Sequence, residues 1–229
     1  MSTAAAALPT SALDSGEPRV ATFKAPLLSR ILEGDDPQRR AVVLDLGGPC
    51  QLLIERLSST RRLRLEIADL FAMGGLRVLA TLASSEDAGE THAATIRRVL
   101  PAANDEPLDL VLCWDLPNYL PPKVLRYLFD AIARRAAPRC RLHMLIAYSK
   151  REMPTAPARY VPELDDRLTQ ICAESATVKA PRYSPEELAS LVGKFRYERG
   201  VLLANGMQEF VYACPDGPGA DKPRSRSRR

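Results

Sequence analysis

Three short, almost continuous apolar runs constrain the fold of this chain more than any other feature. They occupy 41–46 (AVVLDL), 108–114 (LDLVLCW) and 142–148 (LHMLIAY). Runs of this length without alternation are typical of central strands in a parallel sheet, because helices cover both faces of such a sheet. Helical patterns separate the runs along the chain. The sequence therefore predicts an α/β fold in which helices cover both faces of a mostly parallel sheet.

Proline, glycine and capping residues mark the ends of the predicted helices. Pro26 begins a helix that ends at Gly34, since proline suits the first helical turn and glycine suits the position after the last one. Ser184 and Glu187 form a capping box, and Gly193 ends the helix that they begin. Further helices are predicted at 50–58, at 91–99 and from Pro121-Pro122 onward.

The remaining strands are predicted from weaker patterns. Residues 61–68 alternate between apolar and charged side chains, so one face of this strand is wetter and the strand lies away from the middle of the sheet. A weak strand is predicted at 76–82. Two strand-like segments, 195–203 and 207–213, flank Asn205-Gly206, which is the strongest short signal for an antiparallel hairpin.

The excess positive charge is confined to the C-terminal end. The chain has a net charge of +4, and residues 221–229 alone hold five cations and one anion. The rest of the chain is electrically balanced, whereas proteins that bind nucleic acid usually carry positive charge on the folded surface as well. A nucleic-acid partner is therefore expected only as a weak, salt-dependent contact of the basic tail.

Composition also sets the expected domain boundaries. Residues 1–22 and 215–229 offer little apolar surface to bury and are predicted to be disordered, which leaves one domain at 23–214. No apolar run approaches the roughly 20 residues that span a bilayer, and the N-terminal residues do not resemble a secretory signal. We therefore expect a cytoplasmic protein without a membrane partner.

Missing motifs argue against several kinds of site. The five cysteines are widely spaced and form no Cys/His cluster, so no metal site is expected. The sequence has no G-x-G-x-x-G after the first strand, no P-loop and no G-x-S-x-G, which argues against dinucleotide binding, nucleotide hydrolysis and hydrolase chemistry. His143 lies in the middle of an apolar strand and is expected to be a hydrogen-bonded core residue rather than a base.

Two segments and the closing hairpin carry a family resemblance. The segments VVLDLGG (42–48) and LDLVLCWDLPNYLP (108–121), with the final strand–turn–strand, resemble the class I S-adenosylmethionine-dependent methyltransferases over about 25–214. The resemblance implies a Rossmann-like three-layer sandwich with a seven-stranded sheet in the order 3-2-1-4-5-7-6, whose seventh strand is antiparallel. It also implies S-adenosylmethionine as the cofactor.

The resemblance assigns cofactor contacts to the carboxyl ends of three strands. Asp69 would take the ribose hydroxyls, although a role in a turn suits it equally well, and Glu66, on the wetter face of its strand, is the alternative carboxylate. Trp114 is interpreted as a core residue. No catalytic residue is assigned, because methyl transfer by direct displacement needs mainly alignment of donor and acceptor. The predicted cofactor-binding residues are Asp45, Gly47, Gly48, Asp69, Asp115, Asn118 and Tyr119.

The glycine loop departs from the family pattern and leaves two functions open. Pro49 and Gln51 stand where the family has its second and third glycines, whose N–H groups face the cofactor carboxylate. Proline has no N–H, and losing one hydrogen bond to a charged group weakens binding about 10- to 100-fold. The chain is either a methyltransferase for an unknown substrate, with a small molecule favoured, or a catalytically inactive methyltransferase-like binding or scaffolding protein. Residues 149–160 either line a substrate pocket or simply connect two elements.

Overall fold

The computed structural model describes residues 18–34, 38–60, 62–84, 89–102, 106–149, 151–173 and 176–215. The helices found in these residues are α1 (Pro26–Glu33), α2 (Gln51–Thr60), α3 (Met73–Ser84), α4 (Gly89–Val99), α5 (Pro122–Ala133) and α6 (Pro185–Leu191). The strands found there are β1 (Arg19–Lys24), β2 (Ala41–Asp45), β3 (Leu63–Ile67), β4 (Leu108–Leu112), β5 (Ala136–Ala147), β6 (Glu152–Pro154), β7 (Arg159–Pro162), β8 (Arg167–Cys172), β9 (Thr177–Lys179), β10 (Arg196–Leu202) and β11 (Met207–Ala213).

The central sheet has the order β10-β11-β5-β4-β2-β3. Strands β2 to β5 run parallel, and β11 lies antiparallel to β5 and to β10. Asn205-Gly206 turns the chain between β10 and β11, and Gly206 has a φ of 79° there. The predicted α/β fold with a mostly parallel sheet and a closing antiparallel hairpin is confirmed, and the order matches the expected one without its third strand.

The prediction of a weak strand at 76–82 is wrong, because these residues lie in α3, and the central sheet has six strands instead of seven. Leu76, Leu79 and Leu82 recur every three residues, which places them on one side of a helix, and Leu79 and Leu82 are buried. The sheet consequently ends at β3, where strand 61–68 was expected to lie away from the middle.

Helices cover both faces of the sheet, as a three-layer sandwich requires. On one face, α3, α4, α5 and α6 share a core cluster that includes Ile96, Leu125 and Leu191. On the other face, α1 and α2 bury Leu28 and Leu53 in a second cluster. None of the helices that the structure describes is long and apolar enough to cross a lipid bilayer.

A buried carboxylate holds α1 on the sheet. Glu209 on β11 accepts hydrogen bonds from the backbone N–H groups of Leu27 (3.1 Å) and Leu28 (2.7 Å), in the first turn of α1. His143 Nε2 lies 3.0 Å from Glu209 Oε1, and both side chains are fully buried. The N–H groups in the first turn of a helix have no partners within the helix, and the Glu209 side chain accepts hydrogen bonds from two of them inside the core. The prediction that His143 is a hydrogen-bonded core residue is confirmed.

Two small sheets add to this architecture, and the sequence patterns did not indicate them. Strands β1, β8 and β7 form one antiparallel sheet, while β6 pairs with β9. Tyr160 and Leu168 from the three-stranded sheet join the core cluster that contains α1 and α2. Residues 19–22, predicted to belong to a disordered tail, lie in β1 and pair with β8 instead. Apart from residues 18 and 215, the rest of both predicted tails lies outside the described residues, at 1–17 and 216–229.

Candidate functional site

A cavity of about 580 Å³ opens at the carboxyl ends of β2 and β3, under the start of β7. Ligands of open α/β sheets bind at this edge, and the volume is in the range of small-molecule sites. The residues that line it are Asp45, Gly47, Gly48, Cys50, Asp69, Phe71, Ala72, Trp114, Pro157, Arg159, Tyr160, Ile171 and Ala173.

Asp45, the last residue of β2, places a buried carboxylate in the cavity wall. Its Oδ1 accepts hydrogen bonds from the Gly47 backbone N–H (2.9 Å) and from Trp114 Nε1 (2.6 Å). Burial raises the pKa of Asp45 to about 6, although these two hydrogen bonds lower it, and the nearby charge of Asp69 raises it further. Within the described part of the chain, neither hydrogen bond nor ion pair reaches its Oδ2.

Trp114 covers the first glycine of the loop. A Cβ atom on Gly47 would lie only 2.8 Å from Trp114 Cδ1, so the indole can lie here only because residue 47 is glycine. The Trp114 backbone has a φ of 51°, which is uncommon for a bulky residue, and its ring stacks on Tyr160 at 5.5 Å. Trp114 is buried as expected of a core residue, but it also forms part of the cavity wall.

Asp69 lies beside Gly48 in the cavity wall. A Cβ on Gly48 would lie 3.2 Å from Asp69 Oδ1, so glycine leaves the approach to this carboxylate open. Asp69 itself has a φ of 42°, in the left-handed region that aspartate and asparagine tolerate better than most residues. Among the residues that the structure describes, none forms a hydrogen bond or ion pair with its carboxylate. The structure thus brings together four predicted site residues, Asp45, Gly47, Gly48 and Asp69.

Glu66, the alternative carboxylate, does not line the cavity. It was expected on the wetter face of its strand, but it is buried and forms ion pairs with Arg135 (2.5 Å) and Arg64 (3.5 Å). Burial of a carboxylate is favourable only with such partners, which explains why the alternation of 61–68 misled the prediction. Asp69 is therefore the carboxylate at the end of β3 that faces the cavity.

Asn118 lies outside the cavity and fastens β4 to β5. Its Nδ2 donates to the backbone oxygens of Asp115 (2.8 Å) and Leu145 (2.9 Å), and its Oδ1 accepts from the Ala147 N–H (2.9 Å). All these partners are backbone groups, that of Asp115 just after β4 and those of Leu145 and Ala147 at the end of β5. This buried side chain positions the segment after β4.

Asp115 and Tyr119 also lie away from the cavity lining. Asp115 Oδ2 accepts a hydrogen bond from the Ala158 N–H at 3.2 Å, which ties the start of β7 to the end of β4. Tyr119 packs against a small apolar cluster that contains Met153. The cofactor contacts predicted for Asp115, Asn118 and Tyr119 stay predictions without support from this geometry.

Two residues of the cavity wall, Arg159 and Tyr160, come from the end of segment 149–160 and from β7. Tyr160 is buried against Trp114, and Gln170 Nε2 donates to its hydroxyl at 3.1 Å. Burial, reinforced by the charge of Asp115, raises the pKa of Tyr160 well above its usual value. The interpretation of 149–160 as a pocket-lining segment agrees with this position of Arg159 and Tyr160. No pattern in the sequence distinguishes Arg159 from other arginines. Within the described ranges, no group of three His, Cys, Asp or Glu side chains is arranged to hold a metal ion.

Comparison with known proteins yields similar folds only. No protein-family model matches the chain, and no curated protein sequence matches it. An S-adenosylmethionine-dependent methyltransferase from Clostridium acetobutylicum superimposes with a TM-score of 0.47 and 10% identity, over 82% of this chain and 89% of that one. The 1,6-didemethyltoxoflavin-N1-methyltransferase of Burkholderia thailandensis, solved with S-adenosylhomocysteine, gives 0.43 and 16%, over 78% and 72%.

The pyocyanin biosynthetic protein PhzM is similar with a TM-score of 0.45 and 16% identity, over 81% of this chain. The match covers 53% of PhzM, so this chain spans about half the length of that protein. Since all three TM-scores are below 0.5, we infer the chemistry of this chain from its own residues.

Proposed function

We propose that this chain binds S-adenosylmethionine in the cavity between Asp45 and Asp69 and acts as a methyltransferase on a small molecule that is not yet identified. One observation carries the proposal. The adjacent ends of β2 and β3 set Gly48 against the Asp69 carboxylate inside a cavity of about 580 Å³. The sequence resemblance assigns the nucleoside part of the cofactor to this pair of strand ends.

The nucleoside part of the cofactor fits the Asp69 side of the cavity. A carboxylate without a protein partner can accept hydrogen bonds from both hydroxyls of a ribose. Gly48 has no side chain to block the approach to Asp69. Phe71 and Ile171 supply apolar wall beside them, as a planar base requires.

The positive charge of the cofactor suits the Asp45 side. The raised pKa of Asp45 reflects a carboxylate whose ionised form is poorly compensated. A ligand cation near Oδ2 would stabilise that form, and S-adenosylmethionine carries both a sulfonium and an ammonium group. The bound cofactor supplies an activated methyl group, and the residues of the cavity bind it, orient it and limit the access of water.

The glycine loop fits the carboxylate of the cofactor poorly, and this favours a second candidate function. The Gly47 N–H already donates to Asp45, and Pro49 has no N–H to offer. Trp114 covers Gly47 as well. The second candidate is a catalytically inactive methyltransferase-like protein that serves as a binding or scaffolding module.

Calorimetric titration with S-adenosylmethionine and S-adenosylhomocysteine tests the cofactor binding that the first candidate requires. We expect saturable binding by the wild-type protein and about 10- to 100-fold weaker binding by Asp69→Asn, which loses the charge that assists the ribose hydrogen bonds. Asparagine tolerates the left-handed backbone of residue 69, so the variant keeps the fold. The matched control is Asp165→Asn, at an exposed turn aspartate with a φ of 55°. If neither ligand binds at millimolar concentration, only the second candidate function remains.

A further inference from the structure

We propose that Arg159, from the inserted strand β7, binds the carboxylate at the amino-acid end of the cofactor in place of the N–H groups of the glycine loop. This inference rests on the proposed function, because it concerns how the same cavity holds S-adenosylmethionine. It assigns a binding role to a residue that lies outside both segments that carry the family resemblance.

The glycine loop offers a ligand carboxylate fewer donors than the family pattern does. The Gly47 N–H points to Asp45 Oδ1, at 2.9 Å, and Pro49 has no N–H. Trp114 lies against Gly47 and directs its own N–H to Asp45 as well. A carboxylate that enters a cavity loses its hydration and needs a charged or hydrogen-bonding partner there. That partner has to come from another wall.

Arg159 provides a cation in the part of the cavity wall that β7 forms. Its Nη2 would lie 3.9 Å from a Cβ atom on Gly48, so the guanidinium reaches the glycine loop from the β7 side. In the parts of the chain that the structure describes, no hydrogen bond or ion pair engages its guanidinium, and the neighbouring Asp69 is not bonded to it. A cation and an anion that are both available to a ligand therefore lie beside Gly48.

The backbone of Arg159 is held in place by its two neighbours. The Ala158 N–H donates to Asp115 Oδ2, and the ring of Tyr160 stacks on Trp114. Arg159 also pairs with Ile171 of β8. Ala158 and Tyr160 are buried, whereas the side chain of Arg159 between them is exposed and lines the cavity. The cation is thus presented from a fixed strand rather than from a loose loop.

The distribution of charge gives an elongated ligand one orientation. Asp69 attracts the hydroxyls of a nucleoside, while Arg159 offers a planar fork of N–H groups that matches a carboxylate. S-adenosylhomocysteine carries both groups at opposite ends, and both side chains lie within 4 Å of the position that a Cβ on Gly48 would take. A nucleoside thioether without a carboxylate would use the first contact and not the second.

Two ligands that differ only in the carboxylate test this assignment. The probes are S-adenosylhomocysteine and 5′-deoxy-5′-(3-aminopropylthio)adenosine, which keeps the amine and lacks the carboxylate. By calorimetry, we expect the wild-type protein to bind the first about 10- to 100-fold more tightly. Arg159→Gln should remove this preference by weakening S-adenosylhomocysteine alone, and Arg159→Lys should keep part of it, since lysine retains the charge without the fork.

Controls separate this inference from the proposed function. Arg126→Gln, at an exposed position on α5, should leave both affinities unchanged, and melting temperatures check that each variant is folded. If Arg159→Gln weakens both ligands equally, or neither, the carboxylate contact is refuted while cofactor binding stands. If the wild-type protein binds neither ligand at millimolar concentration, the proposed function itself fails and this inference falls with it.

Discussion

Replacing Asp45 with asparagine perturbs the buried carboxylate at the end of β2 with little change in shape. The amide oxygen of asparagine can accept the same hydrogen bonds from Gly47 and Trp114 that Oδ1 accepts in the wild-type protein. The variant differs mainly in that residue 45 can no longer ionise. The comparison therefore measures what ionisation of Asp45 costs the folded state.

The size and sign of the effect follow from the raised pKa of Asp45. Burial raises this pKa from 3.8 to about 6. Each unit of pKa corresponds to about 1.4 kcal/mol, so ionisation of Asp45 costs the folded state about 3 kcal/mol more than the unfolded state. Because the folded state binds the proton more tightly than the unfolded state, Asp45 contributes most to stability below pH 3.8. That contribution is lost as pH rises to about 6, where the folded carboxyl ionises.

Chemical denaturation of both proteins between pH 4 and pH 8, followed by circular dichroism, measures the difference directly. We expect Asp45→Asn to match the wild-type protein near pH 4 and to be more stable by up to about 3 kcal/mol above pH 7. The exposed control Asp165→Asn should show no such trend. A difference that does not change with pH, or one that grows as the pH falls, would refute the reasoning.

Three further predictions follow from the contacts of the loop and the core. Gly47→Ala should lower the free energy of unfolding by about 1–3 kcal/mol in urea denaturation, because its Cβ would overlap Trp114; an unchanged value would contradict that contact. Glu209→Gln should cost about 1.5–3 kcal/mol in the same assay, since it removes the charge that the first turn of α1 and His143 share; a neutral effect would show that the charge is not needed. The double variant Pro49→Gly/Gln51→Gly should bind S-adenosylhomocysteine about 10- to 100-fold more tightly by calorimetry. Weaker binding would mean that the native loop holds the ligand by its own geometry.

The parts of the fold that the sequence predicted are those determined by local patterns. The runs that contain β2, β4 and β5 are apolar on both faces, and central parallel strands require this composition. Pro26, Ser184 and Gly193 act through the backbone of their own helix ends, so their signals do not depend on distant residues. Asp45 and Asp69 were assigned through the family resemblance, which depends on the ends of strands that local patterns identify.

The errors arose where distant contacts decide the structure. The leucines of α3 repeat at a helical spacing, but seven residues with β-branched and apolar side chains also suit a strand. Glu66 is buried because Arg135, which is far away in the sequence, neutralises it. Strands β6 to β9 are three to six residues long, and their pairing depends on partners such as β1. Arg159 becomes a candidate site residue only once β7 lies over the glycine loop.

A crystal structure of the protein grown with millimolar S-adenosylhomocysteine tests the central claim most directly. We predict ligand density in the cavity between β2 and β3, with the ribose hydroxyls within hydrogen-bond distance of Asp69. The amino-acid carboxylate should lie within hydrogen-bond distance of the Arg159 guanidinium. A cavity that stays empty of ligand under these conditions, or a ligand bound elsewhere on the molecule, would contradict the proposal that this chain is an S-adenosylmethionine-dependent methyltransferase.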